Sequence, residues 1–353
     1  MSETANISEV ANRVAKDIFE VFKWEKIPIM DENFKCHKID EHRPKSRKKH
    51  PTSPSKYTHP VDVVFKYYDP YLNKYILLNT DLKSYKKGSI KFGSTEDAIK
   101  SLSHTIDCAR SSTEWIKKYS LDDSPFEVRG MLFIYNHDNE YDKSFFSILK
   151  RIKPDRINLK KNLIIHVLEP IRIRYLNTVI ADLRNLQVRR QFPMTKYSFF
   201  YPDLHLHKTH GDAEQYPATI EILCSPYMIL KHGPFKSINE DTGENEEKSP
   251  NGGYLIYYNQ NGGTEHEFMY LFDSLSRFQI LNSDATIKIR VAHHEPAPEI
   301  KSNYERAIKF YVRSWHLDKI KLRQLERIEF DITTQTVPNY NPGILAWRLP
   351  SND

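Results

Sequence analysis

Residues 60–65 and 75–83 constrain this chain more than any other feature. Between them lies Asp69-Pro70-Tyr71-Leu72-Asn73, a run of turn-forming residues. Read as two strands and folded about the midpoint between Tyr71 and Leu72, they set Asp62 opposite Asp81. Lys83, two residues further on, shares the face of Asp81. Val61, Val63 and Phe65 then line the other face with Ile76, Leu78 and Leu82. A half-buried hairpin has this division of apolar and charged faces. A slip of one residue would bury Asp62 and expose Val63, so the pattern fixes the pairing.

Like charges directly opposite each other destabilise a sheet. Two readings resolve the conflict. In one, a divalent cation such as Mg²⁺, which takes hard oxygen ligands and few carboxylates, sits between Asp62 and Asp81. In the other, both are solvated surface charges and Lys83 neutralises Asp81.

Composition narrows the field. The 353 residues suffice for one large domain or two, and 39% hydrophobic content supports a real core. With only 11 glycines and no G-x-x-x-x-G-K or G-x-G-x-x-G run, a phosphate-cradling loop is not expected. The net charge of +6 suits a polyanionic partner. Cys36, Cys108 and Cys224 are scattered and odd in number, so neither a disulfide framework nor a zinc knuckle is expected, and the chain reads as cytoplasmic. No membrane-spanning run and no signal peptide are expected either.

Along the chain, apolar spacing predicts a helix over 7–24 with Asn6 as N-cap, then a short strand within 27–39. Residues 41–56 form a basic, proline-interrupted segment that reads as a mobile loop. After the hairpin comes one long helix from Ser94 to about Tyr119, then a buried strand over 131–135. Residues 130–187 and 253–327 share a weak strand–helix–strand–helix echo, read either as a duplication or as a coincidence in an α/β chain. Residues 236–253 read as a flexible insertion.

Over residues 7–136 this order resembles the PD-(D/E)XK nuclease superfamily. A helix with a glutamate precedes a strand with Asp62, and the neighbouring strand carries Asp81-Leu82-Lys83 intact. The first half of the motif is Pro60-Val61-Asp62, with one residue inserted after the proline. The resemblance implies an α/β fold with a restriction-endonuclease-like core (helix, mixed sheet with catalytic hairpin, helix) plus a C-terminal α/β extension. Its expected domains are 1–155 and 156–353. It implies that Asp62, Asp81 and the Leu82 carbonyl hold Mg²⁺ or Mn²⁺, and that Lys83 orients the attacking water or stabilises charge on the scissile phosphate. The helix glutamate corresponds to Glu9 or Glu20, which lie ~16 Å apart along the axis, too far to serve one site. Glu9 is preferred, with a capping-box role as its alternative.

Arg43, Lys45, Arg47, Lys48 and Lys49, joined by Lys86 and Lys87, are expected to grip phosphates without reading sequence, or else to solubilise a loop. The expected activity is Mg²⁺-dependent endonucleolytic hydrolysis of DNA in restriction or anti-phage defence, by a homo- or hetero-oligomer. An RNA nuclease and a catalytically silent nuclease fold are the alternatives. His205, His207 and His210 have metal-like spacing but no accompanying acidic or thiol cluster, and they carry no assignment. Cys108 and Cys224 read as core thiols, and Tyr197-Ser198-Phe199-Phe200-Tyr201 as core or interface aromatics.

Overall fold

A computed structural model describes residues 2–42, 57–120, 124–157, 159–202, 216–238, 245–246, 249, 251–281, 284–316 and 319–336. The chain divides into two compact units, Met1–Ile173 and Arg174–Val337.

The first unit opens with helix α1 (Ser2–Val21) and strand β1 (Glu25–Lys35). Because α1 already includes Asn6, that residue does not cap it. β1 exceeds the expected short strand, and a bulge between Lys26 and Met30 interrupts its pairing near Asp31, whose φ is 53°. A single turn, α2 (Ile39–His42), leads towards the hairpin strands β2 (Thr58–Asp69) and β3 (Lys74–Tyr85). Next come α3 (Phe92–Ala109), α4 (Thr113–Tyr119), β4 (Phe126–Asn136), the one-turn α5 (Phe146–Leu149) and β5 (Ile165–Leu168). The sheet order is β1-β2-β3-β4-β5, antiparallel across the first two pairings and parallel across the last two.

The helix expected from Ser94 to Tyr119 is two helices. Ser112 breaks it, because its side chain accepts a hydrogen bond from the Trp115 N–H at 3.2 Å and starts α4. The turn between β2 and β3 is closed by Asp69, whose Oδ1 accepts from the N–H groups of Tyr71 at 2.9 Å and Leu72 at 3.1 Å. Val63 pairs with Thr80 and Phe65 with Leu78, the register read from the sequence.

The two sides of the hairpin differ from expectation in one respect: neither is open to solvent along its length. Phe65 meets Phe19 of α1 edge-on at 4.7 Å on one side. On the other, Val64 and Leu77 are buried with Cys108, Ala109 and Trp115 of α3 and α4. Strands at the middle of a partly parallel sheet are covered on both faces. α3 comes close because Gly130 of β4 lies beneath it; a Cβ there would stand 3.1 Å from Leu102 Cγ.

Cys108, on α3, is buried as expected, with its sulfur 3.8 Å from that of Cys36, also buried just beyond β1, whereas Cys224 is exposed rather than a core thiol. The basic residues Arg43, Lys45, Arg47, Lys48 and Lys49 and the histidines 205, 207 and 210 fall outside the described residues.

In the second unit, α6 (Pro170–Val188) precedes β6 (Tyr197–Phe199), α7 (Ile220–Cys224) and β7 (Tyr227–His232). A two-residue ladder of β8 (Ser237–Ile238) and β9 (Asn245–Glu246) lies within the segment read as a flexible insertion. Then follow β10 (Gly253–Tyr258), α8 (Glu265–Arg277), β11 (Thr286–Val291), α9 (Ile300–Ser314), α10 (Lys319–Glu326) and β12 (Glu329–Ile332). The order β6-β7-β10-β11-β12 repeats that of the first unit, with two antiparallel and then two parallel pairings. The echo in the sequence is therefore out of phase with the topology: β10 takes the place of β3, not of β4. The aromatic run at Tyr197 forms β6 and the residues after it, buried in the core.

The core of the first unit yields a measurable expectation. Phe19 is fully buried, stacked on Trp24 at 4.5 Å and edge-on to Phe133 at 5.9 Å. Phe19→Ala should cost about 3–5 kcal/mol, read as a lower urea midpoint with unchanged slope.

Candidate active site

Strand alternation puts Asp62 of β2 and Asn79, Asp81 and Lys83 of β3 on the face covered by α3 and α4. Asn79 is buried and accepts a hydrogen bond from the Trp115 indole N–H at 3.2 Å, which ties α4 to the hairpin below the charged residues. Above it a small cleft opens, lined by Pro60, Asp62, Asp81 and, from α3, Ser101, Leu102 and Thr105.

Inside this cleft the side chains meet. Asp62 Oδ2 accepts a hydrogen bond from the Leu82 N–H at 2.8 Å. The Lys83 ammonium is ion-paired with Asp81 Oδ1. The Asp81 carboxylate lies close enough to Asp62 to act on its charge.

The electrostatics follow from crowding under cover. Burial, then the charge of Asp81, push the Asp62 carboxyl up to about 6, against the opposing pull of the Leu82 N–H and Lys83. Burial alone would lower the Lys83 ammonium, but the adjacent Asp81 and the nearby Asp62 outweigh it and hold the proton more tightly than usual. Lys83 is therefore a fixed cation beside two carboxyl groups.

Tyr85 belongs with this set and was not singled out from the sequence. It continues the alternation Asp81-x-Lys83-x-Tyr85 on the same face, and its phenol is raised by burial and by Asp81 while Lys83 opposes the shift. The period-two spacing could have found it. Ser101 and Thr105 could not have been found that way, because only the packing of α3 across the sheet brings them to Asp62.

The remaining candidates lie elsewhere. Glu9 is exposed on α1, in the helix layer on the opposite side of the sheet, with its carboxylate 2.9 Å from Arg13 one turn on. Glu20 is exposed on the same helix. Lys87 is engaged away from the cleft, its Nζ 2.9 Å from Asp142 and its N–H donating to Asp138 at 3.0 Å, while Lys86 is exposed. No described helix is long and apolar enough to cross a membrane.

Comparison with known proteins agrees with this fold. Residues 1–172 match the family described as the GAPS4 protein PD-(D/E)XK nuclease domain. No curated protein and no solved structure matches the chain. The match spans all of the first sheet and the strand pair that carries Asp62, Asp81 and Lys83. Residues 1–172 thus resemble a PD-(D/E)XK nuclease domain in sequence as well as in the order of their elements.

Proposed function

We propose that this domain is a Mg²⁺-dependent endonuclease that hydrolyses phosphodiester bonds in DNA and serves in prokaryotic anti-phage defence. The observation that carries the reading is the convergence of Asp62, Asp81 and Lys83 in one cleft. The donor set suits a hard divalent cation: two neighbouring carboxyl groups under partial cover. Mg²⁺ or Mn²⁺ held there would acidify a bound water and offset charge gathering on the phosphate.

The protein's own groups have distinct tasks. The Leu82 N–H holds Asp62 Oδ2 in place and leaves the other oxygen to face the cleft. In an extended strand the carbonyl of Leu82 leaves by the same edge as its N–H, so it too is directed towards β2. Lys83 keeps its proton, so it is suited to donating to a non-bridging phosphate oxygen and not to abstracting a proton. Asp81 orients that ammonium. The overall positive charge favours a polyanionic substrate. One such site per chain cuts one strand at a time, which favours an oligomer for double-strand cleavage.

Two outcomes test this. With Mg²⁺ the full chain should nick supercoiled plasmid, and Asp81→Asn or Lys83→Ala should slow cleavage by at least about 10³-fold with DNA binding in Ca²⁺ held within about threefold. Cleavage of structured RNA alone would establish the RNA-directed alternative, and cleavage of neither would leave a silent binding module.

The second outcome concerns stability in the absence of metal. The Asp62 carboxyl ordinarily titrates near 3.8 and in the fold near 6. A raised carboxyl leaves the fold fully stable below the lower value and weakens it as pH rises through the upper one. In EDTA, Asp62→Asn should therefore be more stable than the wild type at pH 7.5 by ~1–3 kcal/mol, and the difference should vanish below about pH 3. Added Mg²⁺ should raise the wild type and leave the variant unmoved. Equal urea midpoints at pH 7.5 would show that Asp62 carries no such burden.

A further inference from the structure

A second cluster lies in the first unit, apart from the catalytic carboxylates. Cys36 follows β1, His42 ends α2, His59 lies on β2 and Cys108 on α3, and all four are buried. Their donor atoms all lie within 4.8 Å of one another. The His42 Nδ1 is 3.5 Å from Cys36 Sγ, 3.4 Å from Cys108 Sγ and 3.4 Å from His59 Nε2, and the two sulfurs are 3.8 Å apart.

We propose that Cys36, His42, His59 and Cys108 form a structural Zn²⁺ site of the Cys₂His₂ type. A tetrahedral zinc with bonds of about 2.3 Å to sulfur and about 2.05 Å to nitrogen sets its ligands about 3.8 Å apart for S···S, about 3.5 Å for S···N and about 3.3 Å for N···N. The four separations found match four of the six edges to within about 0.2 Å, and all the donor atoms lie within 4.8 Å of one another.

Hydrogen bonding alone does not explain the arrangement. The other ring nitrogen of His42, Nε2, lies 3.1 Å from Asp107 Oδ2 and donates its hydrogen there. That leaves Nδ1 with one in-plane lone pair, yet two sulfurs and a second imidazole nitrogen converge on it. A cation at the centre of the four satisfies all of them at once. A carboxylate behind a ligating imidazole is also the usual outer support of a zinc site. Charge balances as well: two thiolates neutralise Zn²⁺, and Asp107 is met from outside by Lys38 at 2.9 Å and Lys160 at 2.7 Å. Soft sulfur with imidazole in a closed tetrahedron selects zinc over the hard cation suited to Asp62 and Asp81. The cysteines do not form a C-x-x-C pair, and a site assembled from four separate stretches of the chain lies beyond the reach of local spacing.

The role is to fasten the helix layer to the sheet. His59 lies three residues before Asp62 on β2, and Cys108 lies three after Thr105 on α3, so the cluster joins the two walls of the cleft.

The test uses the purified full chain. Elemental analysis should find about one zinc per chain, retained in Asp62→Asn and in Cys224→Ser and lost in Cys36→Ser and Cys108→Ser, whose Tm should fall by more than about 10 °C. Should those variants fail to fold, the wild type answers alone: titrating two thiols with an organomercurial should release that zinc to a chromogenic chelator. Protein grown in cobalt should show thiolate-to-cobalt charge transfer with tetrahedral d–d bands. Metal-free protein whose Tm ignores added Zn²⁺ and Co²⁺ would overturn the proposal. So would a Cys36–Cys108 disulfide in freshly purified protein. Retention of Zn²⁺ by Asp62→Asn separates this result from the fate of the nuclease reading.

Discussion

The pairing of β2 with β3 is the constraint on which the first unit rests. Asp69 closes its turn, Val63 lies opposite Thr80, and everything placed on either side follows from that register. One side supplies Phe65 to the aromatic stack under α1, and the other supplies Asp62, Asp81 and Lys83 to the cleft under α3. A shift by one residue would exchange the two sides, so the hydrophobic energy of the core also enforces the geometry of the polar residues. Placing two carboxyl groups beneath a helix raises the energy of the fold, and the apolar surface around them offsets it.

Much of this was legible in the sequence because a hairpin is local. The turn residues, the alternation and the position of Lys83 all lie within 25 residues of one another, where period and symmetry suffice. What could not be read came from contacts between distant segments. The break of the long helix at Ser112 depended on a serine chosen as a cap where the helical spacing continued past it. Cover over the charged side of the hairpin depended on α3 and α4 crossing back over it. Glu9 was assigned from order along the chain, yet it sits in the helix layer across the sheet from Asp62 and pairs with Arg13. Cys36 and Cys108 are 72 residues apart, and only the sheet brings them together.

The second unit repeats the strand order of the first with different chemistry. Its β10, in the place of β3, reads Gly-Tyr-Leu-Ile-Tyr-Tyr and carries no charge. Its main buried polar contact is instead a forked pair, with Arg290 reaching Asp182 of α6 at 2.5 and 3.1 Å and Tyr257 donating to the same carboxylate at 3.0 Å. A carboxylate held by both an arginine and a tyrosine in this way fixes an arrangement of elements and has both oxygens engaged. The same topology thus supports a charged hairpin in one unit and a braced, uncharged strand in the other, because topology specifies where side chains stand and not what they are.

Gly130 has a consequence for how this protein can drift. Leu102, which presses on it at the distance of a missing Cβ, is also a wall of the cleft that contains Asp62. Even a single methyl at that position would stand 3.1 Å from Leu102 Cγ, so the leucine would have to give by a few tenths of an ångström, and with it a wall of the cleft beside Asp62. The tolerance of this site to inherited variation is thus narrowed by an atom that is not there, on a strand that bears none of the charged groups of the cleft.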